Sequence, residues 1–129
     1  MLNALCVGAG GFIGAVLRYL LGLLPYHDDF PLITFAINFV GALAIGIVAE
    51  VAVLKVDQVN SGLTLFLKTG LCGGFTTFST FSLETLVLID KGRYLMAAGY
   101  AFGSLAACLT GVVLGRLIAR ALFAPTSTV

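Results

Sequence analysis

Four stretches of this chain are apolar over more than the roughly 20 residues a helix needs to cross the hydrocarbon of a bilayer. They run from about 3 to 24, 31 to 54, 62 to 89 and 94 to 123. What separates them is short and polar: Pro25-Tyr26-His27-Asp28-Asp29, the run Lys55 to Ser61, and Asp90-Lys91-Gly92-Arg93. Pro31 opens the second stretch at a position helices favour, where its missing N–H costs nothing. In lipid every backbone polar group must be satisfied within its own segment, so runs of this length read as helices. The expected fold is an all-α integral membrane protein with four transmembrane helices in a single membrane domain over residues 1–129. Turns this short make consecutive spans antiparallel neighbours and leave no room for a catalytic domain outside the bilayer.

Composition supports that reading. Apolar residues make up 60% of the chain and charged residues 10%, with a mean hydropathy of +1.10, whereas a soluble domain carries about 25% charged residues. The partner this surface suits is the lipid bilayer. A net charge of +1 without a basic stripe argues against nucleic acid. Cys6, Cys72 and Cys108 are far apart and lie in apolar runs, which suits packing rather than a disulfide framework or a metal site. The first apolar stretch lacks a basic leader and a small-residue cleavage site, so it is expected to be a retained span.

Small residues recur four apart: Gly10 and Gly14, Ala42 and Gly46, Gly70 and Gly74, Gly99 and Gly103, Gly111 and Gly115. Such pairs let helix backbones approach closely in membranes. Four short spans offer limited internal surface, so some of these faces are expected to meet a second subunit. Orientation points the same way. Lys55, Lys68, Arg116 and Arg120 fall on the side of the termini, and Arg18, Lys91 and Arg93 on the other. Orientation follows an excess of Lys and Arg on the cytoplasmic side, and four against three is scarcely an excess. Such a chain is expected to insert both ways up.

Polar groups inside a span default to a functional hypothesis. Arg18 comes late enough in the first span to reach toward the far interface, and Asn38 sits about two turns into the second among apolar neighbours. The third span is the most informative. Gly73-Gly74-Phe75-Thr76-Thr77-Phe78-Ser79-Thr80-Phe81-Ser82 puts two adjacent glycines and five hydroxyls at mid-membrane depth, a poor continuous helix. Irregular backbone at that depth is tolerated where it lines a cavity or is buried in protein. A break would free carbonyl oxygens, hard ligands suited to an alkali cation, and aim a half-helix N-terminus at anions. Phe78 and Phe81, three apart, share a helix face. Their ring edges carry partial positive charge, though two phenylalanines at that spacing are also ordinary core.

The combination resembles the bacterial fluoride channel family, also called the CrcB family. The matching residues are Gly10 to Tyr19 (GGFIGAVLRY), Thr34, Asn38 and Gly41, Gly70 to Ser82 with Glu84, and Tyr100, Ser104, Gly111 and Gly115. They lie on all four spans, and GGFTTFSTF is the most specific of them. The resemblance implies an antiparallel, dual-topology homodimer with two fluoride pores along the subunit interface, in the bacterial inner membrane. It also implies a structural Na+ at the dimer centre, held by the backbone carbonyls of Gly73 and Thr76. Phe78 and Phe81 match the pore phenylalanines and Asn38 the pore asparagine. Ser79, Thr80, Tyr100, Ser104 and Thr34 match a polar track. Arg18 and Glu84 match positions with a vestibule or packing role. The implied function is passive export of cytoplasmic fluoride, with no enzymatic step.

Two other classes compete. A small proton-coupled drug exporter also has four spans, but it needs a titratable carboxylate in the membrane. The first span has no acid, Glu50 lies near the end of the second, and Glu84 is the only plausible coupling acid. A membrane hydrolase would need a base near the hydroxyl run, and His27 is far away in the first loop. A purely structural subunit stays open at this level.

Overall fold

A computed structural model describes residues 1–55 and 60–124. Much of the turn expected at Lys55 to Ser61, and nearly all of the polar tail, lie outside them. Among the described residues the regular structure is entirely helical, and four helices are long and apolar enough to span a membrane. Helix α1 is Leu2–Gly22 and α2 is Leu32–Leu54. Pro31 precedes α2 as its cap residue, one position earlier than expected, and its carbonyl accepts from Phe35 N at 3.1 Å.

The third span, Ser61–Asp90, is two half-helices. The first, α3, combines an opening turn Ser61–Thr64, a π-helical stretch Leu65–Cys72 and a last turn Gly73–Phe75. Asn60 starts it by accepting from Gly62 N at 2.7 Å, which satisfies one of the donors a helix start leaves open. The second, α4, is Phe78–Asp90. The π-helical register is not marked by any residue type and was not anticipated. Helix α5 is Tyr94–Phe123.

The turn between α4 and α5 depends on Gly92, whose φ of 72° is the left-handed conformation glycine adopts without penalty. There Gly92 N donates to Ile89 O at 2.8 Å and Arg93 N to Leu88 O at 2.9 Å, closing the orphan carbonyls of α4. That turn sets Lys91 and Arg93 on Asp29 of the first loop, at 3.6 and 2.7 Å. Both pairs are exposed, so they orient this end of the molecule more than they stabilise it.

Consecutive spans do run antiparallel, but the most intimate packing joins alternate, parallel ones. A methyl group built on Gly10 would strike the backbone at Phe66 and Leu71, and one on Gly14 the backbone at Leu71 and Phe75. Gly70 and Gly74 present their own bare backbones to Val7 and Gly11. In the same way Gly46 lies on Val112, Gly115 on Leu43 and Gly111 on Phe39. Two parallel pairs result, α1 with α3 and α2 with α5. Gly99 and Gly103 differ: among the described residues nothing lies within 4 Å of a methyl placed on either.

Candidate functional site

The break falls at Thr76 and Thr77, not at the two glycines. Gly73 and Gly74 stay helical, while Thr76 (φ −78°, ψ 159°) and Thr77 (φ −148°, ψ 116°) are extended. β-Branched residues accept extended backbone readily, and the surroundings satisfy what the helix gives up. Asn38 of α2 grips the Thr77 peptide from both sides: its Oδ1 accepts from Thr77 N at 2.8 Å and its Nδ2 donates to Thr77 O at 3.1 Å. Thr77 Oγ1 then caps α4 by accepting from Thr80 N at 3.2 Å. The Thr76 methyl fills the notch left by Gly41.

These bonds leave particular carbonyls open. In an unbroken helix Thr77 N would donate to Gly73 O and Thr80 N to Thr76 O. Both donors are committed elsewhere, one to Asn38 and one to the Thr77 hydroxyl. The Gly74 carbonyl, which loses Phe78 N, instead accepts from Arg18 Nε at 3.2 Å. Arg18 therefore turns inward to the break rather than out to the interface as its position in α1 suggested.

Two clefts flank Thr77, which borders both. The first, of about 540 Å³, lies between α2, the break and α5, and is lined by Asn38, Gly73, Thr76, Phe78, Phe81 and Ser104 among others. The Phe78 and Phe81 rings stand 5.4 Å apart, tilted by 41°. Phe78 is 79% exposed. Ser104 is only 5% exposed, and its hydroxyl has no hydrogen-bond partner among the described residues. The Asn38 amide has two N–H donors, and the Thr77 carbonyl engages it once. This cleft thus holds unspent donors beside two aromatic rings, and none of its lining residues is a lysine or arginine.

The second cleft, about 580 Å³, opens toward the first loop and Lys91. It contains Arg18, Thr34, Thr80 and Glu84. Thr34 Oγ1 donates to Glu84 Oε1 at 2.8 Å, and Tyr100 OH donates to Glu84 Oε2 at 2.7 Å. One carboxylate so ties α2, α4 and α5 together. Tyr100 is fully buried, with the Phe81 ring at 5.2 Å and the Phe30 ring at 5.5 Å.

The expected site residues are therefore divided. Asn38, Phe78, Phe81, Ser104, Gly73 and Thr76 share one cleft, and Arg18, Thr34, Thr80 and Glu84 the other. Tyr100 bridges them through Phe81 and Glu84, and the Ser79 hydroxyl lies 3.3 Å from Thr77 Oγ1 on an exposed turn. Thr77 stands outside the expected site residues, yet it borders both clefts and holds the break. Its signal is a hydroxyl immediately before an apolar helical run, the signature of an N-cap.

A four-span protein whose third helix breaks between two clefts, one mainly apolar with a few polar groups and one more polar, suits a membrane protein that passes an ion. The chain belongs to the family of CrcB-like proteins, Camphor Resistance (CrcB), whose model matches residues 5–116. It is 46% identical over 122 residues to a fluoride-specific ion channel of Chlorobaculum tepidum, covering 93% of this chain and 96% of that one. The corresponding channel of Ruminiclostridium cellulolyticum is 43% identical over 123 residues, covering 93% and 94%. That of Helicobacter pylori strain ATCC 700392 is 42% identical over 116 residues, covering 86% and 88%.

Proposed function

We propose that this chain is a fluoride channel, not an enzyme, that lets cytoplasmic fluoride leave a bacterial cell passively through its membrane. The observation that carries the reading is the Ser104 hydroxyl, buried and unpartnered beside Asn38, Phe78 and Phe81. A buried hydroxyl without a partner costs about 1–3 kcal/mol, which an arriving acceptor would recover. Fluoride is small and strongly hydrated, so a pore must replace its water with donors. Ser104 and the second Asn38 N–H supply two, and the ring edges add weak positive charge. Without a full countercharge in the cleft, the ion is bound weakly enough to move on, as conduction requires. Thr34, Thr80, Tyr100 and Ser79 are the further hydroxyls of the track, while Arg18 and Glu84 hold the break and the three-helix junction.

The working unit in this reading is an antiparallel homodimer with dual topology. Its support is the open first cleft, the 79% exposure of Phe78, the unpacked Gly99 and Gly103 and the near balance of cations between the two sides. A second copy would close the cleft into a pore. A structural Na+ fits the same scheme, because Gly73 and Thr76 both have carbonyls whose helical donors are diverted. Those oxygens would hold the ion, which would draw the two breaks onto one charge.

The rival proton-coupled exporter needs Glu84 to exchange protons. Both its carboxylate oxygens accept from hydroxyls, which suits a structural junction better. Efflux of fluoride from proteoliposomes containing only this chain, read with a fluoride electrode, tests the proposal. Selective efflux without a proton gradient is expected. Strict proton dependence, or no fluoride flux from correctly assembled protein, would overturn it.

A further inference from the structure

At the end of the molecule away from the first loop, Glu50 of α2 is buried and accepts from Arg116 Nε at 2.7 Å and Arg120 Nε at 2.6 Å. The two arginines, four apart on α5, share a face, and each is about half exposed. Each meets Glu50 through Nε, the inner edge of the guanidinium, so the outer nitrogens remain available to a second acceptor. Lys55 stands at the same end, its Nζ 5.1 Å from the centre of the Phe123 ring. Among the described residues at this end, Arg116 and Arg120 outweigh Glu50, and Lys55 adds a third cation.

The depth of this cluster is informative. Helix α5 has 30 residues, which at about 1.5 Å each is roughly 45 Å, well beyond a hydrocarbon core of about 30 Å. Arg116 and Arg120 lie in its last eight residues, and Glu50 in the last turn and a half of α2. Centred on such a core, α5 would carry Arg120 to headgroup level and leave Arg116 and Glu50 a few ångströms, about one helical turn, inside its edge, from which an arginine side chain reaches the headgroups. On its interior side Leu109 and Val113, on the same face of α5 as Arg116, are exposed, an apolar apron running toward the membrane interior.

We infer that Arg116, Arg120 and Lys55 form a binding site for the phosphate of an anionic phospholipid. A guanidinium presents a planar fork that matches phosphate oxygens, and Glu50 pre-orients two of them side by side. The apron would take the acyl chains, and that selects a lipid over a free anion. Glu50 has a positioning role: without it two adjacent guanidiniums would repel each other.

The test uses the full chain, purified in detergent and equilibrated with a mixture of phosphatidylglycerol and phosphatidylcholine, with retained lipid measured by mass spectrometry. Juxtamembrane cations favour anionic lipid by about fivefold each, so the wild type is expected to retain phosphatidylglycerol severalfold over phosphatidylcholine. R116K/R120K keeps the charge and a donor for Glu50 but loses the forks, and should lower the preference severalfold while leaving the part due to charge. Lys55→Gln, which leaves Glu50 untouched, should lower it by about fivefold. Equal retention of both lipids by the wild type would overturn the site. An undiminished preference in R116K/R120K would overturn the role of the guanidiniums. Displacement of phosphatidylglycerol by millimolar inorganic phosphate would show a soluble-anion site instead of a lipid site.

Discussion

The Asn38 amide replaces, for the Thr77 peptide, the helical partners that the break removes: Oδ1 takes the N–H at 2.8 Å and Nδ2 the carbonyl at 3.1 Å. One side chain therefore holds the break open and faces the cleft that the proposed ion enters. Asn38→Ala would leave both Thr77 groups unpaired at a buried position, at about 1–3 kcal/mol each. Thermal unfolding should show that loss together with abolished fluoride efflux. Asn38→Asp keeps the acceptor but removes the donors and adds a negative charge, so flux should fall just as far. A fully active Asn38→Asp protein would refute the donor role.

Ser104 separates function from stability. Its hydroxyl has no partner among the described residues, so Ser104→Ala should leave the unfolding temperature unchanged or raise it slightly. Fluoride efflux should nevertheless drop about tenfold or more, the value of a hydrogen bond to a charged group. Loss of stability with unaltered flux would reverse the assignment.

The two phenylalanines should part company under the same substitution. Phe78→Ile and Phe81→Ile are both expected to abolish fluoride flux while dimers still form on size-exclusion chromatography. Phe81 also packs against Tyr100 at 5.2 Å, so Phe81→Ile should forfeit about 1 kcal/mol of aromatic contact as well. Unchanged flux in both variants would defeat the ring-edge proposal.

Glycines of identical spacing should respond differently. At Gly46 an added methyl would strike Val112 backbone, and overpacking of that kind costs about 1–3 kcal/mol; Gly46→Ala should lower the unfolding temperature. Gly103 has open space around it, so Gly103→Leu should leave the protomer's helical content intact and weaken dimer formation. Retained dimers in Gly103→Leu would remove that face from the proposed interface.

Exchange of Na+ for choline throughout purification is expected to lower the stability of the dimer, because the carbonyls of Gly73 and Thr76 would lose their proposed ligand. Dimers equally stable in Na+, Li+ and choline would count against the ion.

Helix count, span limits and the existence of a break follow from local sequence, because in lipid the backbone must satisfy itself segment by segment. Apolar length then reports the ends of the long helices to within two residues, and a run such as GGFTTFSTF reports an interruption. Where the break falls is a different matter. Gly73 and Gly74 have the weaker helical preference, yet both stay helical, Gly74 with its bare backbone against Gly11 of α1, and the extended residues are Thr76 and Thr77, which Asn38 and a capping hydroxyl can satisfy. The same holds for Arg18, whose place in α1 allows an outward reach, while the Gly74 carbonyl, orphaned by the break, turns it inward. Tertiary structure alone decided that parallel, alternate spans pack most closely, that the hydroxyl-bearing residues divide between two clefts, and that Glu84 joins three helices. Each of these depends on which face meets which neighbour, and pairing across distances such as the 16 and 50 positions that separate Glu84 from Tyr100 and Thr34 leaves no local mark in the sequence.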